Sequence, residues 1–169
     1  MWSIKDLEPF FFEAMRDGYA SRTAKKRVIE ELPQSRLITF QRAELMLTDC
    51  WQTNPDSLKS FGQTVICANS KPVWMMAYWG QYPKDVIPFL KEVLCQAYKP
   101  TTRFLKSGSF SGCRGTHVCR DTPEYSNLTY SNHFKGDFSS FEGREEIVKD
   151  EGSNSKRVGW HNYHGMLLI

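Results

Sequence analysis

Apolar residues recur at helical spacing twice in this chain. Phe10, Phe11, Ala14 and Met15 form one stripe; Phe89, Leu90, Val93, Leu94 and Ala97 form the other. A proline precedes each, Pro9 and Pro88, and suits a first helical turn because its missing N–H is not needed there. Gly18 marks the end of the first stripe and Pro100 blocks extension of the second. The pattern predicts helices over 9–17 and 88–98. The residues before them, 5–8 and 84–87, read as turns, with Asp6 and Asp85 placed to cap. Elsewhere short apolar runs lie between breakers. They predict strands at about 37–40, 43–51, 64–68 and 72–79, then 127–134, 145–149 and 157–163. "TNPDS", "FKGDF" and "DEGSNS" supply turns, and "RFLKSGSFSG" at 103–112 reads as an extra hairpin about 106–109. A helix followed by a run of strands, twice over, gives an α+β fold with antiparallel meanders.

The two runs also resemble each other in detail. "KDLEPFFFEAMRDGY" from Lys5 answers "KDVIPFLKEVLCQAY" from Lys84; "LMLTDCW" from Leu45 answers "LTYSNHF" from Leu128; "KPVWMMAYWG" from Lys71 answers "KRVGWHNYHG" from Lys156. The offset grows in one direction, from 79 through 83 to 85 residues, as small loop insertions in a second copy would produce. The expectation is two tandem repeats, about 5–80 and 84–165. Each has one helix and too little surface to bury alone, so both pack with pseudo-two-fold symmetry into a single domain covering 1–169.

In such a duplication, positions alike in both copies serve the shared fold, and positions that diverged are free for function. Strand alternation sorts them. Trp74, Met76 and Tyr78 share one face of their strand; Gly159, His161 and Tyr163 share one face of theirs. The common tyrosine points that face at the helices. The opposite face carries Met75, Trp79, Trp160, Asn162 and His164, aromatic anchors beside polar groups, the composition of a binding surface. The competing reading is a second core layer.

Composition narrows the classes. The chain has 169 residues, 40% hydrophobic and 14% aromatic, enough for a packed globule. Its longest apolar run, 73–79, is far below the ~20 residues that span a bilayer, so no membrane association is expected. The start has no basic segment followed by an apolar core, and the cysteine count, five, is odd. Both point to reduced thiols in the cytoplasm. The net charge of +3 is weak support for nucleic acid. The one basic cluster, "RTAKKR" with Arg22, Lys25, Lys26 and Arg27, lacks interleaved aromatics and reads as a solvated loop.

Candidate chemistry is sparse. Cys113, His117 and Cys119 with His133 or His164 have no finger or ribbon spacing, so neither a metal nor a cofactor is expected. His161 and His164 fall on opposite faces of one strand. No nucleophile elbow and no phosphate loop is present, so no catalytic residue is assigned. The acids of "GDFSSFEGREE" read as solvated. Arg36 and Arg114 sit in matching places before the first long strand of each copy; they either brace the seam between copies or hold an anion.

The whole pattern, "FFFEAMRDGYA", "VWMMAYWG", "RGTHV", "GDFSSFEGREEIV" and a closing "YHG", resembles an uncharacterised bacterial and archaeal family of unknown function. Its members occur alone or behind helix-turn-helix regulator domains. The family pattern usually closes with two glycines after tyrosine and histidine; here Met166 follows Gly165. The family's first-copy "F-x-G-x-E" is reduced to "SFGQTV" at 60–65. The resemblance also implies an arginine at the Arg36 and Arg114 places, but no activity; a sensing role follows only by analogy, since domains behind helix-turn-helix regulators often sense ligands. The expected function is therefore a non-enzymatic domain binding a small molecule or protein in the groove between copies. The alternatives are an inhibitor or interaction protein from a mobile element that uses an exposed aromatic face, and an enzyme of unrecognised type.

Overall fold

A computed structural model describes residues 2–21, 23–99, 108–110 and 125–169. Helix α1 (Ile4–Asp17) begins well before Pro9. Asp6 accepts hydrogen bonds from the Ser3 backbone N–H and hydroxyl, at 2.9 and 2.6 Å. That contact starts the helix early, so 5–8 are helical rather than a turn, and Pro9 lies inside at the cost of one intrahelical bond. Helix α2 (Ile87–Ala97) starts as expected, with Pro88 in its first turn, but its cap position is Val86, not Asp85. Each helix buries the stripe read from sequence, and Phe10 and Phe89 are both fully enclosed.

The strands are β1 (Ser35–Arg42), β2 (Leu45–Thr53), β3 (Lys59–Ala68), β4 (Lys71–Gln81), β5 (Gly108–Phe110), β6 (Leu128–Asp137), β7 (Ser140–Glu151) and β8 (Asn154–Leu167). They form one sheet in the order β1-β2-β3-β4-β8-β7-β6-β5, every neighbour antiparallel. Together with the helices this is an α+β fold. Gly108 and Ser109, expected near a hairpin tip, are strand residues paired with β6. β3 and β7 each start five residues earlier than the apolar pattern indicated, because polar residues and a glycine open both.

From each edge the sheet runs inward in chain order and meets at β4–β8, where Tyr78 opposes Tyr163. Both tyrosine side chains cross a glycine on the neighbouring strand. A Cβ at Gly62 would come within 2.6 Å of the Tyr78 hydroxyl; one at Gly143 would come within 2.2 Å of the Tyr163 ring. Only glycine leaves room for either crossing.

The helices cover one face of the sheet. The alternation read from sequence holds: Trp74 and Tyr163 are buried on the helix side, while Trp79 is 47% exposed and His164 is exposed on the other. Phe61, 59% exposed, lies beside Trp79 in register. The open face is therefore not a second core layer. No described helix is long and apolar enough to cross a membrane. Ile66 on β3 and Ile147 on β7 are fully buried beneath the helices. Ile66→Val and Ile147→Val should each lower the free energy of unfolding by ~0.5–1.5 kcal/mol in urea titration.

Candidate functional site

Between the helix pair and the sheet lies a cavity of about 130 Å³. Every layer contributes to its wall: Phe11 and Met15 from α1, Leu90 and Leu94 from α2, Met76 and Tyr78 from β4, His161 and Tyr163 from β8. It straddles the β4–β8 junction, where the two halves of the chain meet.

The apolar wall holds two carboxyl groups. Asp49 belongs to β2 and shares the inward phase with Leu45 and Leu47, so alternation alone carries it inside, only 2% exposed. Tyr78 and Thr64 both donate to its Oδ1, at 2.7 and 2.9 Å. No described residue donates to Oδ2. Burial pushes the Asp49 carboxyl up to about 6 against these two bonds, because an enclosed charge loses its hydration. Glu145 sits in the same phase of β7 as Phe141 and Ile147 and is 8% exposed. Its Oε2 accepts from Tyr130 at 2.7 Å, and burial again raises the carboxyl.

His161 stands beside Glu145. Its Nδ1 lies 3.6 Å from Glu145 Oε1, beyond hydrogen-bond length, and its Nε2 is 3.3 Å from Ser60 Oγ. Its ring packs against Tyr82 and Tyr78, with centroids at 4.6 and 5.7 Å. This enclosure depresses the imidazole to about 4, so it is neutral at physiological pH. Gly80 makes the placement possible, because a Cβ there would lie 2.2 Å from the imidazole Cδ2. The Tyr82 hydroxyl is buried and has no hydrogen-bond partner among the described residues. It approaches Glu145 closely enough to favour the carboxylate as a long, weak hydrogen bond would, while falling short of full hydrogen-bond geometry. No described lysine or arginine lines the cavity.

Asn132 on β6 accepts from the Tyr163 hydroxyl through Oδ1 at 2.6 Å, as Asp49 does from Tyr78, while its Nδ2 is buried with no partner among the described residues.

The residues singled out from sequence lie elsewhere. Met75, Trp79, Trp160, Asn162 and His164 occupy the open face of β4 and β8, where Arg144 and Arg157 flank the Trp160 ring at 5.9 Å each. Arg36 is exposed on edge strand β1, three strands from the β4–β8 junction, so it does not brace that seam. Arg114 lies outside the described residues, as do Arg22, Cys113, His117 and Cys119. Lys25, Lys26 and Arg27 precede β1; Arg27 bridges Leu37 and the Lys26 ammonium sits over the Trp51 ring. The reading of the "GDFSSFEGREE" acids as solvated fails at Glu145, because 140–151 is a strand and its inward phase includes that residue.

Fold and site together define an α+β domain with an acidic, aromatic-walled cavity under its helix pair. The chain belongs to the domain of unknown function DUF5680 family, whose model matches residues 57–168. Asp49 and α1 precede that segment, while Glu145, His161 and α2 lie within it. No curated protein and no solved structure matches the chain.

Proposed function

We propose that this is a small-molecule-binding domain whose site is the cavity between the helix pair and the sheet. The observation that carries the reading is the cavity itself: walled by both halves, mostly apolar, with two buried carboxyl groups that have no cationic partner among the described residues. Burying such groups costs stability, and a ligand that uses them explains their presence. The reading extends to the origin of the fold. The two halves are copies of one helix-and-meander unit, joined about a pseudo-two-fold axis at Tyr78 and Tyr163. The matching glycine crossings and the matching tyrosine bonds to Asp49 and Asn132 support this. Duplication leaves a cleft at the seam, and divergence of Asp49 from Asn132 made its two walls unlike. A sensing role, in the cytoplasm, fits the companionship with helix-turn-helix domains that the family resemblance implies; that step is analogy.

A titration followed by tryptophan fluorescence tests the location, with Trp51→Phe identifying the part of the signal that comes from the ring lining the cavity. For any compact ligand that binds, Asp49→Ala should weaken binding at least about tenfold. Trp160→Ala and His164→Ala, on the open face, should leave it within about twofold. The reverse result would move the site to the open face and favour the interaction-protein reading, for which the exposure of Phe61 and Trp79 speaks.

A second reading takes Ser60, His161 and Glu145 as a hydrolytic relay, because they line up in that order at 3.3 and 3.6 Å. It predicts hydrolysis of a chromogenic acyl ester that Ser60→Ala abolishes. The binding reading predicts turnover no faster than in buffer.

A further inference from the structure

We infer that the cavity takes a compact organic cation, an amine or quaternary ammonium, held by the free carboxyl oxygen of Asp49 or of Glu145 and by the faces of the surrounding aromatic rings. This rests on the small-molecule reading and names its ligand class.

The charge inventory comes first. The lining holds two acids, one neutral imidazole and no described lysine or arginine. The groups that act electrically on Asp49 or feel its charge are Cys50 beside it, Tyr78 on β4, Tyr19 after α1, Tyr98 after α2 and, through these rings, Glu145 on β7. None is a cation. Anionic ligands therefore meet repulsion, and neutral apolar ligands leave both acids unused.

The hydrogen-bond inventory agrees. Both donors to Asp49 reach Oδ1, and the donor to Glu145 reaches Oε2. One oxygen of each carboxyl is thus left as an acceptor. Tyr82, 6% exposed and lining the same cavity, adds a hydroxyl with no partner among the described residues. The carboxyl oxygens are acceptors waiting for a donor, the hydroxyl can accept as well as donate, and an ammonium group brings donors or positive charge and no acceptor.

The walls complete the case. Tyr19, Trp51, Tyr78, Tyr82 and Tyr98 all contribute to the lining, and aromatic faces attract cations. The chain's own lysines already illustrate that preference: Lys91 Nζ lies 5.3 Å from the Tyr19 ring centre and Lys26 Nζ 5.5 Å from that of Trp51, though neither lysine lines the cavity. The volume limits size. A cavity of roughly 150 Å³ accommodates benzene, so about 130 Å³ suits a ligand of some six or seven heavy atoms.

Two matched pairs test the inference by calorimetry: choline against its uncharged carbon isostere 3,3-dimethylbutan-1-ol, and cyclopentylammonium against cyclopentanol. Pivalate serves as the anionic probe. At pH 8 at least one cation should bind about tenfold or more tightly than its neutral partner, and pivalate should not bind. Asp49→Asn or Glu145→Gln should cut cation binding at least about tenfold while leaving neutral binding within about twofold. Cation affinity should also fall by up to about tenfold per pH unit below 6, where protonation of Asp49 removes the charge; the alcohols should show no such trend. Tighter binding of an alcohol or of pivalate overturns the cation class and leaves the small-molecule reading standing. Silence from all five probes, with tryptophan emission unchanged, overturns both.

Discussion

Replacing Asp49 by asparagine should stabilise the protein by about 2–3 kcal/mol at pH 8, and the gain should shrink as pH falls toward 4. The folded carboxyl titrates near 6 and the ordinary value is 3.8. Below 3.8 both folded and unfolded chains hold the proton, and the group imposes no penalty. Between 3.8 and 6 the folded chain binds more protons than the unfolded one, so stability drops as pH rises. Above 6 the loss is complete, and at ~1.4 kcal/mol per unit it reaches the stated size. An amide carries no such penalty and keeps the geometry: Asn132 already accepts from Tyr163 at 2.6 Å as Asp49 does from Tyr78 at 2.7 Å. His161 works in the opposite sense. Its depressed imidazole favours the folded state increasingly as pH rises from about 4 through 6.5, which flattens the profile of the parent protein. The difference between variant and parent removes that contribution, since both contain His161. Urea denaturation of both proteins at pH 8 and pH 4.5 supplies the comparison. A variant less stable than the parent at pH 8 would mean that the ionised carboxylate is supported in the empty fold, and the ligand argument would lose its energetic basis. A more stable variant that no longer binds is the usual relation between a functional site and the fold that carries it.

Much of this architecture was legible because it follows from period. The helical stripes and the alternation of the long strands appear directly in the sequence, and so does the sidedness of β4 and β8. That sidedness placed Tyr78 and Tyr163 under the helices and Trp79 and His164 in solvent. Helix α1 was misplaced at its start because Pro9 seemed to fix the first turn, whereas Ser3 and Asp6 start it earlier. The site was less legible. Asp49 shares the phase of Leu45 and Leu47, and Glu145 that of Phe141 and Ile147, so an acid on an inward position was readable in both strands. The composition around Glu145 obscured it, since a segment crowded with charges resembles a solvated turn. The convergence of Asp49, Glu145, His161 and Tyr82 was not readable at all. It depends on β4 pairing with β8, a contact between halves that local pattern does not encode. Reasoning from divergence between the copies chose the open face, whereas the cavity residues lie on the helix-facing side of the same strands.

Trp74→Ala should cost ~3–5 kcal/mol, the largest loss expected from any single truncation here. Trp74 is the largest side chain with no exposure at all. Its ring stacks on Phe138 at 4.8 Å with only 10° between planes, and meets Phe11 at 4.9 Å and Phe141 at 5.8 Å. Its Nε1–H donates to the Phe138 carbonyl at 2.9 Å. One residue of β4 thus holds α1 above it and the β6–β7 turn beside it, and the latter belongs to the other half of the chain. Truncation removes a buried ring, opens a void between halves and strands a carbonyl. Trp74→Phe separates these effects: it keeps most of the volume, forfeits the hydrogen bond and should cost a smaller ~1–3 kcal/mol. Trp79, five residues along the same strand, supplies the control. It is 47% exposed on the open face, and Trp79→Ala should cost under about 1 kcal/mol. Guanidinium denaturation of the three variants should therefore rank Trp74→Ala well above Trp74→Phe, and both above Trp79→Ala. If Trp79→Ala proved as damaging as Trp74→Ala, the open face would be covered in the native protein, and something other than this chain's helices would have to cover it.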